Sequence, residues 1–254
     1  MIDIHSHILA GLDDGPETFD DSVAMARMAA ETGTTDIVAT PHSNLKFSFD
    51  PVEIDRKIEE LQATVGEVIR IHRGCDFHLH YENVRDALLE PAKYAINRKC
   101  YLLVEFSELL VSKATEDILH RLHDAGLIPV ITHPERHPLL QRRVEQLASW
   151  VQEGWCVQIT AQSLFGGFGK QAKVFSEQLL SRRLVHFIAS DAHDIRHRPP
   201  RLDLAFRFIV DSYGSELAER LCMTNPRAAL EGKLLEPLPV ATVVRKHKWF
   251  SFWR

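Results

Sequence analysis

The sequence predicts one α/β domain, a distorted seven-stranded (β/α) barrel of TIM-like architecture, and three observations carry that expectation. Seven short apolar runs recur at a nearly constant interval, at 2–5, 36–40, 68–73, 101–106, 127–132, 155–160 and 185–190. Segments of helical periodicity alternate with them, and strict strand–helix alternation implies parallel strands. No Gly-x-Gly-x-x-Gly follows the first run, which tilts the choice from a doubly wound sheet toward a barrel.

Each element has its own warrant. The runs are short, bounded by turn or charged residues, and too apolar for half-exposed antiparallel strands. Residues 19–32 place Val23, Met25, Ala26, Ala29 and Ala30 broadly on one side, with Gly33 as the stop. Residues 51–65 place Ile54, Ile58, Leu61 and Val65 on one face, and Asp50-Pro51 supplies an N-cap and a first-turn proline. Stretches 114–125, 141–153, 170–182 and 202–210 read as helices in the same way. From Gly232 the repeat is lost, so the expected organisation is a barrel over 1–232 and a tail over 233–254. That tail ends in Arg-Lys-His-Lys-Trp-Phe-Ser-Phe-Trp-Arg. Packing back on the barrel or fraying is the preferred reading, and peripheral contact with an anionic membrane surface is the other.

Composition narrows the function. The chain of 254 residues is 45% hydrophobic and has a net charge of −5, which argues against a nucleic-acid backbone as partner. The first residues lack the charged and apolar regions of a secretory signal, and no run reaches the roughly 18 apolar residues of a membrane span. Cys75, Cys100, Cys156 and Cys222 form no CxxC pair and read as buried thiols of a reducing cytosol. A cytoplasmic protein is expected.

The 14 histidines are informative by position. Strand 1 ends at His5, followed by His7; strand 2 leads into Thr40-Pro41-His42; strand 3 into Gly74-Cys75-Asp76. Strand 4 carries Glu105, strand 5 leads into His133, and strand 7 into Asp191 and His193. Six of seven strands thus deliver a ligand-type residue to one end, which in a parallel barrel is the mouth where chemistry is kept. In His5-x-His7 and Asp191-x-His193 both side chains share one face of an extended segment. The turn Asp13-Asp14-Gly15 brings carboxylates back over the mouth. Mixed imidazole and carboxylate donors suit zinc, iron or manganese.

Read in order, His5-x-His7, Asp13-Asp14-Gly15, Thr40-Pro41-His42, Val104-Glu105-Phe106-Ser107, His133-Pro134-Glu135-Arg136, Ala189-Ser190-Asp191-Ala192-His193 and Arg198-Pro199-Pro200 resemble the PHP (polymerase and histidinol phosphatase) family. Within it the chain is similar to the bacterial protein-tyrosine phosphatases of capsule and exopolysaccharide operons, the CpsB/YwqE type. The resemblance covers residues 1–230 or so. It implies a trinuclear centre of divalent ions, usually manganese, with iron or zinc as alternatives. The implied ligands are His5, His7, Asp14, His42, Asp76, Glu105, His133, Asp191 and His193. One departure stands out: the family usually has Gly-x-Glu after strand 3, and Asp76 is one methylene shorter, which bears on metal spacing and occupancy.

The chemistry expected from that centre is phosphotyrosine hydrolysis by a metal-activated hydroxide, with Arg136 and Arg198 as the catalytic arginines holding phosphate oxygens. No Cys-x5-Arg loop indicates a thiol mechanism. The resemblance implies a phosphoprotein partner, the tyrosine-rich C-terminal tail of a bacterial tyrosine kinase at the inner face of the membrane. The runner-up is a PHP phosphatase of a small phosphomonoester such as histidinol phosphate. Oligomeric state is left open. His78 and His80 read equally as pocket wall or barrel rim, and His72, His120, His123, His186 and His247 as structural or exposed. Phe165-Gly-Gly-Phe-Gly169 reads first as a turn into the next helix, with a lid or phenyl-ring contact as the alternative.

Overall fold

Strands form where the apolar runs stand, in a computed structural model that describes residues 1–106, 111 and 113–236. They are β1 (Ile2–Ser6), β2 (Asp36–Ala39), β3 (His42–Ser43), β4 (Arg70–Arg73), β5 (Asp76–His78), β6 (Tyr101–Glu105), β7 (Ile128–Thr132), β8 (Cys156–Thr160) and β9 (Phe187–Ala189). All named pairings are parallel, in a three-stranded sheet β1-β2-β4 and a six-stranded sheet β3-β5-β6-β7-β8-β9. The ring closes where Asp191 N–H donates to the His5 carbonyl at 2.9 Å and His7 N–H to the Ala192 carbonyl at 2.8 Å.

The second and third expected strands each resume beyond their predicted ends after a break, and these breaks explain the distortion. After β2, Pro41 has no N–H to donate, so the ladder is interrupted before β3 resumes at His42. After β4, Gly74 approaches the neighbouring strand so closely that a Cβ would lie 2.8 Å from Val38 and 2.9 Å from Thr40. Across the break, Gly74 N–H reaches the Ala39 carbonyl and Asp76 N–H that of Pro41. The third strand also starts later than residue 68. Gly66–Val68 is a 3-10 turn, in which Gly66 has φ 65°. Gln62 replaces the ladder there, donating to the Gly66 and Ile69 carbonyls and accepting from Ile71 N–H.

The helices are α1 (Phe19–Glu31), α2 (Pro51–Val65), α3 (Tyr81–Leu89), α4 (Lys113–Asp124), α5 (Val144–Gln152), α6 (Gly169–Ser181), α7 (Asp203–Tyr213), α8 (Ser215–Glu219) and α9 (Asn225–Glu231). Thr18 caps α1 through Asp21 N–H, and Asp50 caps α2 through Val52 and Glu53 N–H. The stretch expected as one helix over 141–153 is a 3-10 turn, Leu140–Arg142, followed by α5. Arg143, at φ −127° and ψ 42°, leaves helical geometry between them. Sequence periodicity did not reveal α3, α8 or α9.

One buried cluster joins Ile4, Val38, Leu103, Val130, Cys156 and Phe187, drawn from six strands, as only a barrel interior permits. The alternate residues Leu102, Val104, Ile131, Val157 and Ile159 pack outward with Leu119, Leu122, Leu147, Trp150 and Leu179. At roughly 25 cal/mol per Å² of apolar surface these two faces dominate the stabilisation. Among the described residues no helix is long and apolar enough to cross a membrane. Lys233–Glu236 run back along the barrel: the Tyr101 hydroxyl donates to the Lys233 carbonyl and Arg220 to that of Glu236. Ser107 and the basic–aromatic end of the tail lie outside the described residues.

At the start of β2, the fully buried Asp36 carboxylate is held by Arg70, His72 and Arg227, tying β4 and α9 to it. Burial would raise its pKa, but the hydrogen bonds from Arg70, His72 and Arg227 outweigh that and hold it well below the carboxylate range. A depressed folded pKa contributes stability that is present above about pH 4 and lost as pH falls toward the folded value. Arg70 and Arg227 are themselves exposed, so Asp36→Ala is expected to cost about 2–3 kcal/mol, less than a fully buried pair. A thermal melt at neutral pH should fall by roughly 5–10 °C; an unchanged melt would show that the ion cluster contributes nothing.

Candidate metal centre

The strand ends and the loop after β1, which carries Asp14, bring all nine expected ligand residues to one mouth. His5 and His7 close β1; Nε2 of His7 lies 3.4 Å from Nε2 of His5, and each is about as far from Asp191 Oδ1, at 3.4 and 3.5 Å. His42 and Asp76 are register partners across β3 and β5, with Nδ1 and Oδ2 3.0 Å apart. Asp14 Oδ1 sits 3.4 Å from His42 and 3.3 Å from His193. Glu105 faces His133 at 3.6 Å and His42 at 3.5 Å. Among the described residues, three overlapping groups have ligand atoms close enough to share an ion: His7, Asp14, His42 and His193; His42, Asp76, His78 and Glu105; His5, His7 and Asp76.

Local backbone and outer hydrogen bonds aim these side chains. Gly15 is required in the first loop because a Cβ there would lie 2.3 Å from the His7 carbonyl oxygen. Its N–H donates to Asp13, whose other oxygen accepts from His42 N–H and lies 2.6 Å from His7 Nδ1. Gln158 on β8 meets His5 Nδ1 at 3.0 Å. Asp13 and Gln158 thereby fix both rings with Nε2 turned inward, the arrangement that makes imidazole a good ligand. His133 and Asp191 adopt left-handed backbone, φ 33° and 50°, a conformation that costs a non-glycine residue on the order of 1–3 kcal/mol.

The donor set fits cations. Asp13, Asp14, Asp76, Glu105 and Asp191 crowd one mouth beside Arg136 and Arg198; against burial, these carboxylates raise the His5, His7 and His42 imidazoles above their ordinary pKa, so that without metal protons on those rings answer the negative charge. Asp76 is fully buried, and neither of its oxygens has a partner in hydrogen-bond geometry, although His42 lies close; Oε2 of Glu105 is in the same position. Such carboxylates are costly unless an ion compensates them. Burial, reinforced by Arg136, holds the His133 imidazole well below its ordinary pKa. Burial likewise lowers His193 despite Asp14. Both therefore present neutral rings with a lone pair. Burial would raise Asp191, but His5, His7 and the two arginines keep it ionised.

Arg136 and Arg198 stand beside this cluster. Both donate to Asp191 Oδ2, the oxygen turned away from His5 and His7. Arg198 Nε is buried without a partner, a donor left over. Phe168 stacks over both guanidinia, its ring centre 4.2 Å from Arg136 Cζ and 5.7 Å from Arg198 Cζ. A cavity of about 220 Å³ opens here between Glu105, Phe106, His133, Arg136, His137 and Phe168. The Phe165–Gly169 loop is thus part of the mouth as well as a turn into α6. Glu135 supports it from beneath, fully buried and accepting Thr160 N–H at 2.8 Å and the Ser163 hydroxyl at 2.7 Å.

Sequence reasoning left His78 undecided and overlooked Asp13, Gln158 and Glu135 as supports. His80 instead meets Glu82 at the start of α3, and His72 belongs to the Asp36 cluster. Two residues from Asp76 on a strand was the available signal for His78; the partners of Gln158 and Glu135 lie 153 and 25 or 28 residues away, where no local pattern reaches.

Known proteins share this arrangement of chain. Residues 1–231 match the family model described as capsular polysaccharide synthesis, CpsB/CapC. The chain is 35% identical over 257 residues to tyrosine-protein phosphatase YwqE of Bacillus subtilis, with all of both chains covered. It is 30% identical to tyrosine-protein phosphatase CpsB of Streptococcus agalactiae, covering 91% of this chain and 98% of that one. A crystal structure from work on YwqE and on CpsB of Streptococcus pneumoniae, described as metal-dependent tyrosine phosphatases, superposes with a TM-score of 0.86 at 34% identity, covering 95% of this chain and all of the other. A histidinol phosphate phosphatase from Lactococcus lactis shares the fold alone, at a TM-score of 0.53, 16% identity and coverage of 87% and 94%. The chain is a member of the CpsB/CapC family of capsular polysaccharide synthesis proteins.

Proposed function

We propose that this chain is a metal-dependent protein-tyrosine phosphatase. The observation that carries it is the juxtaposition of a carboxylate-rich, imidazole-lined mouth with two arginines and an aromatic-walled cavity. His5, His7, Asp14, His42, Asp76, Glu105, His133, Asp191 and His193 would hold three divalent ions, with manganese as the expected metal. Bound there, the ions would supply Lewis acidity, a lowered pKa for water and neutralisation of phosphate charge.

The chain's own residues do the rest. Arg136 and Arg198 bind phosphate oxygens; Asp191 orients both guanidinia, and the spare Nε–H of Arg198 offers a donor already stripped of water. Phe168 and Phe106 line the neighbouring cavity and offer an aromatic wall against which a phenyl ring can pack. A phenolate leaves without strong acid assistance because its pKa is near 10. The substrate class that follows is a phosphotyrosine protein of capsule or exopolysaccharide assembly, in the first instance the tyrosine-rich tail of a bacterial tyrosine kinase. The basic and aromatic residues that end the sequence would favour an anionic membrane surface near such a membrane-bound partner.

Chelator-stripped protein reloaded with manganese should hydrolyse phosphotyrosine peptides and lose that activity on stripping. Efficient turnover of histidinol phosphate with none of the peptide would instead establish the small-substrate alternative. Arg198→Ala should lower kcat/KM on a phosphotyrosine peptide by about 100- to 1000-fold, the cost of removing one charge-stabilising donor. Phe168→Ala should cost about tenfold on aryl phosphates, the worth of one aromatic contact, with a smaller loss on alkyl phosphates. Equal losses on both would remove the phenyl-ring role.

A further inference from the structure

His78 stands at the mouth but belongs neither to the expected ligand set nor to the outer supports. It stands on β5 two residues after Asp76, so both side chains project from the same face of the strand. Register fixes its neighbour: His78 pairs with Glu105 across β5 and β6, as Asp76 pairs with His42 across β3 and β5. Nε2 of His78 lies 2.5 Å from Glu105 Oε2 and 3.3 Å from His42 Nδ1. Together with Asp76 these residues form one of the three groups whose ligand atoms could share an ion.

The ligand atoms of that group converge. His78 Nε2 and His42 Nδ1 are within hydrogen-bond distance at 3.3 Å, and one Glu105 oxygen lies close to both rings without hydrogen-bond geometry to either, so a bound ion could take the place of the protons between them. Asp76, in the place where the resemblance implies a glutamate, sits deep, fully buried between His5 at 3.7 Å and His42 at 3.0 Å. A side chain one methylene longer would reach further from β5, into the group it forms with His42, His78 and Glu105. His78 already places a nitrogen donor in that group, against Glu105.

We infer that His78 is a metal ligand of this chain, replacing through Nε2 the reach that Asp76 lacks, in the ion site it shares with His42, Asp76 and Glu105. The donor set there is two imidazoles and two carboxylates, a borderline mixture that suits manganese, iron or zinc. The shorter carboxylate and the added histidine are one compensated pair, so that each explains the other. This rests on the metal-dependent reading above.

Manganese alone is the probe. Wild-type protein, His78→Ala, Asp76→Glu and the Asp76→Glu/His78→Ala double variant are stripped, titrated with Mn(II), and followed by the electron paramagnetic resonance of free Mn(II) and by metal analysis after dialysis. His78→Ala should hold one ion fewer per chain after dialysis. Its weakest site should lose more than about 100-fold in affinity, beyond the roughly 10–100-fold that loss of an outer hydrogen-bond partner costs. In the double variant the longer carboxylate should restore both stoichiometry and affinity to within a few fold of wild type. Unchanged loading of His78→Ala, or a double variant no better than the single, overturns the inference while leaving the metal centre intact. A wild-type protein that takes up no Mn(II) overturns both. Circular dichroism checks each fold, and His78→Asn, which cannot reach Glu105 with the same nitrogen, replaces the alanine variant if that one unfolds.

Discussion

A mouth that gathers five carboxylates beside two guanidinia needs further positive charge, supplied without metal by protons on His5, His7 and His42, and the rest of the site is arranged around that demand. Asp191 shows the division of labour most clearly. One oxygen faces the His5 and His7 rings while the other anchors both arginines. The groups that would hold cations and those that would hold a phosphate therefore share one side chain, which is itself fixed by a left-handed backbone and by an N–H donated to β1. Moving either set moves the other.

The fold meets this demand by separating two tasks along single strands. Below, parallel ladders and a dry interior provide stiffness. Above, Pro41 and Gly74 interrupt the ladders, and β3 and β5 restart in a different sheet, so His42 and Asp76 can turn into the mouth without disturbing the frame. The apolar layer ends at Leu103, and two residues higher on the same face Glu105 begins the polar one.

Much of this was legible in the sequence because strand ends are local. Apolar runs ending in His5, Glu105 or His133 mark both a strand and the mouth it reaches, and Asp50-Pro51 marks the first residue of α2 without reference to anything distant. What escaped notice depends on contacts far apart in the chain. At Gly74 the space for a Cβ is taken by Val38 and Thr40; Arg143, at the α5 boundary, donates to the Val111 carbonyl; the role of Phe168 depends on arginines 32 residues before and 30 after it. The Phe165–Gly169 run looks like a turn because locally it is one. His78 was ambiguous for a related reason, since alternation along β5 gives its face but only the pairing of β5 with β6 gives its partner.

The seam between β9 and β1 joins the two ends of the ring. It is spanned by the bridge from Ser6 to Ala192 and by hydrogen bonds among His5, His7, Asp191 and Ala192. The side chains flanking that seam, His5 and His7 on one lip and Asp191 and His193 on the other, are the same ones assigned to metal. An ion held between them would work as a clasp across this seam, coupling the loading of the centre to the closure of the barrel. The empty chain would then yield first along this line, opening like a clasped bracelet rather than softening evenly throughout.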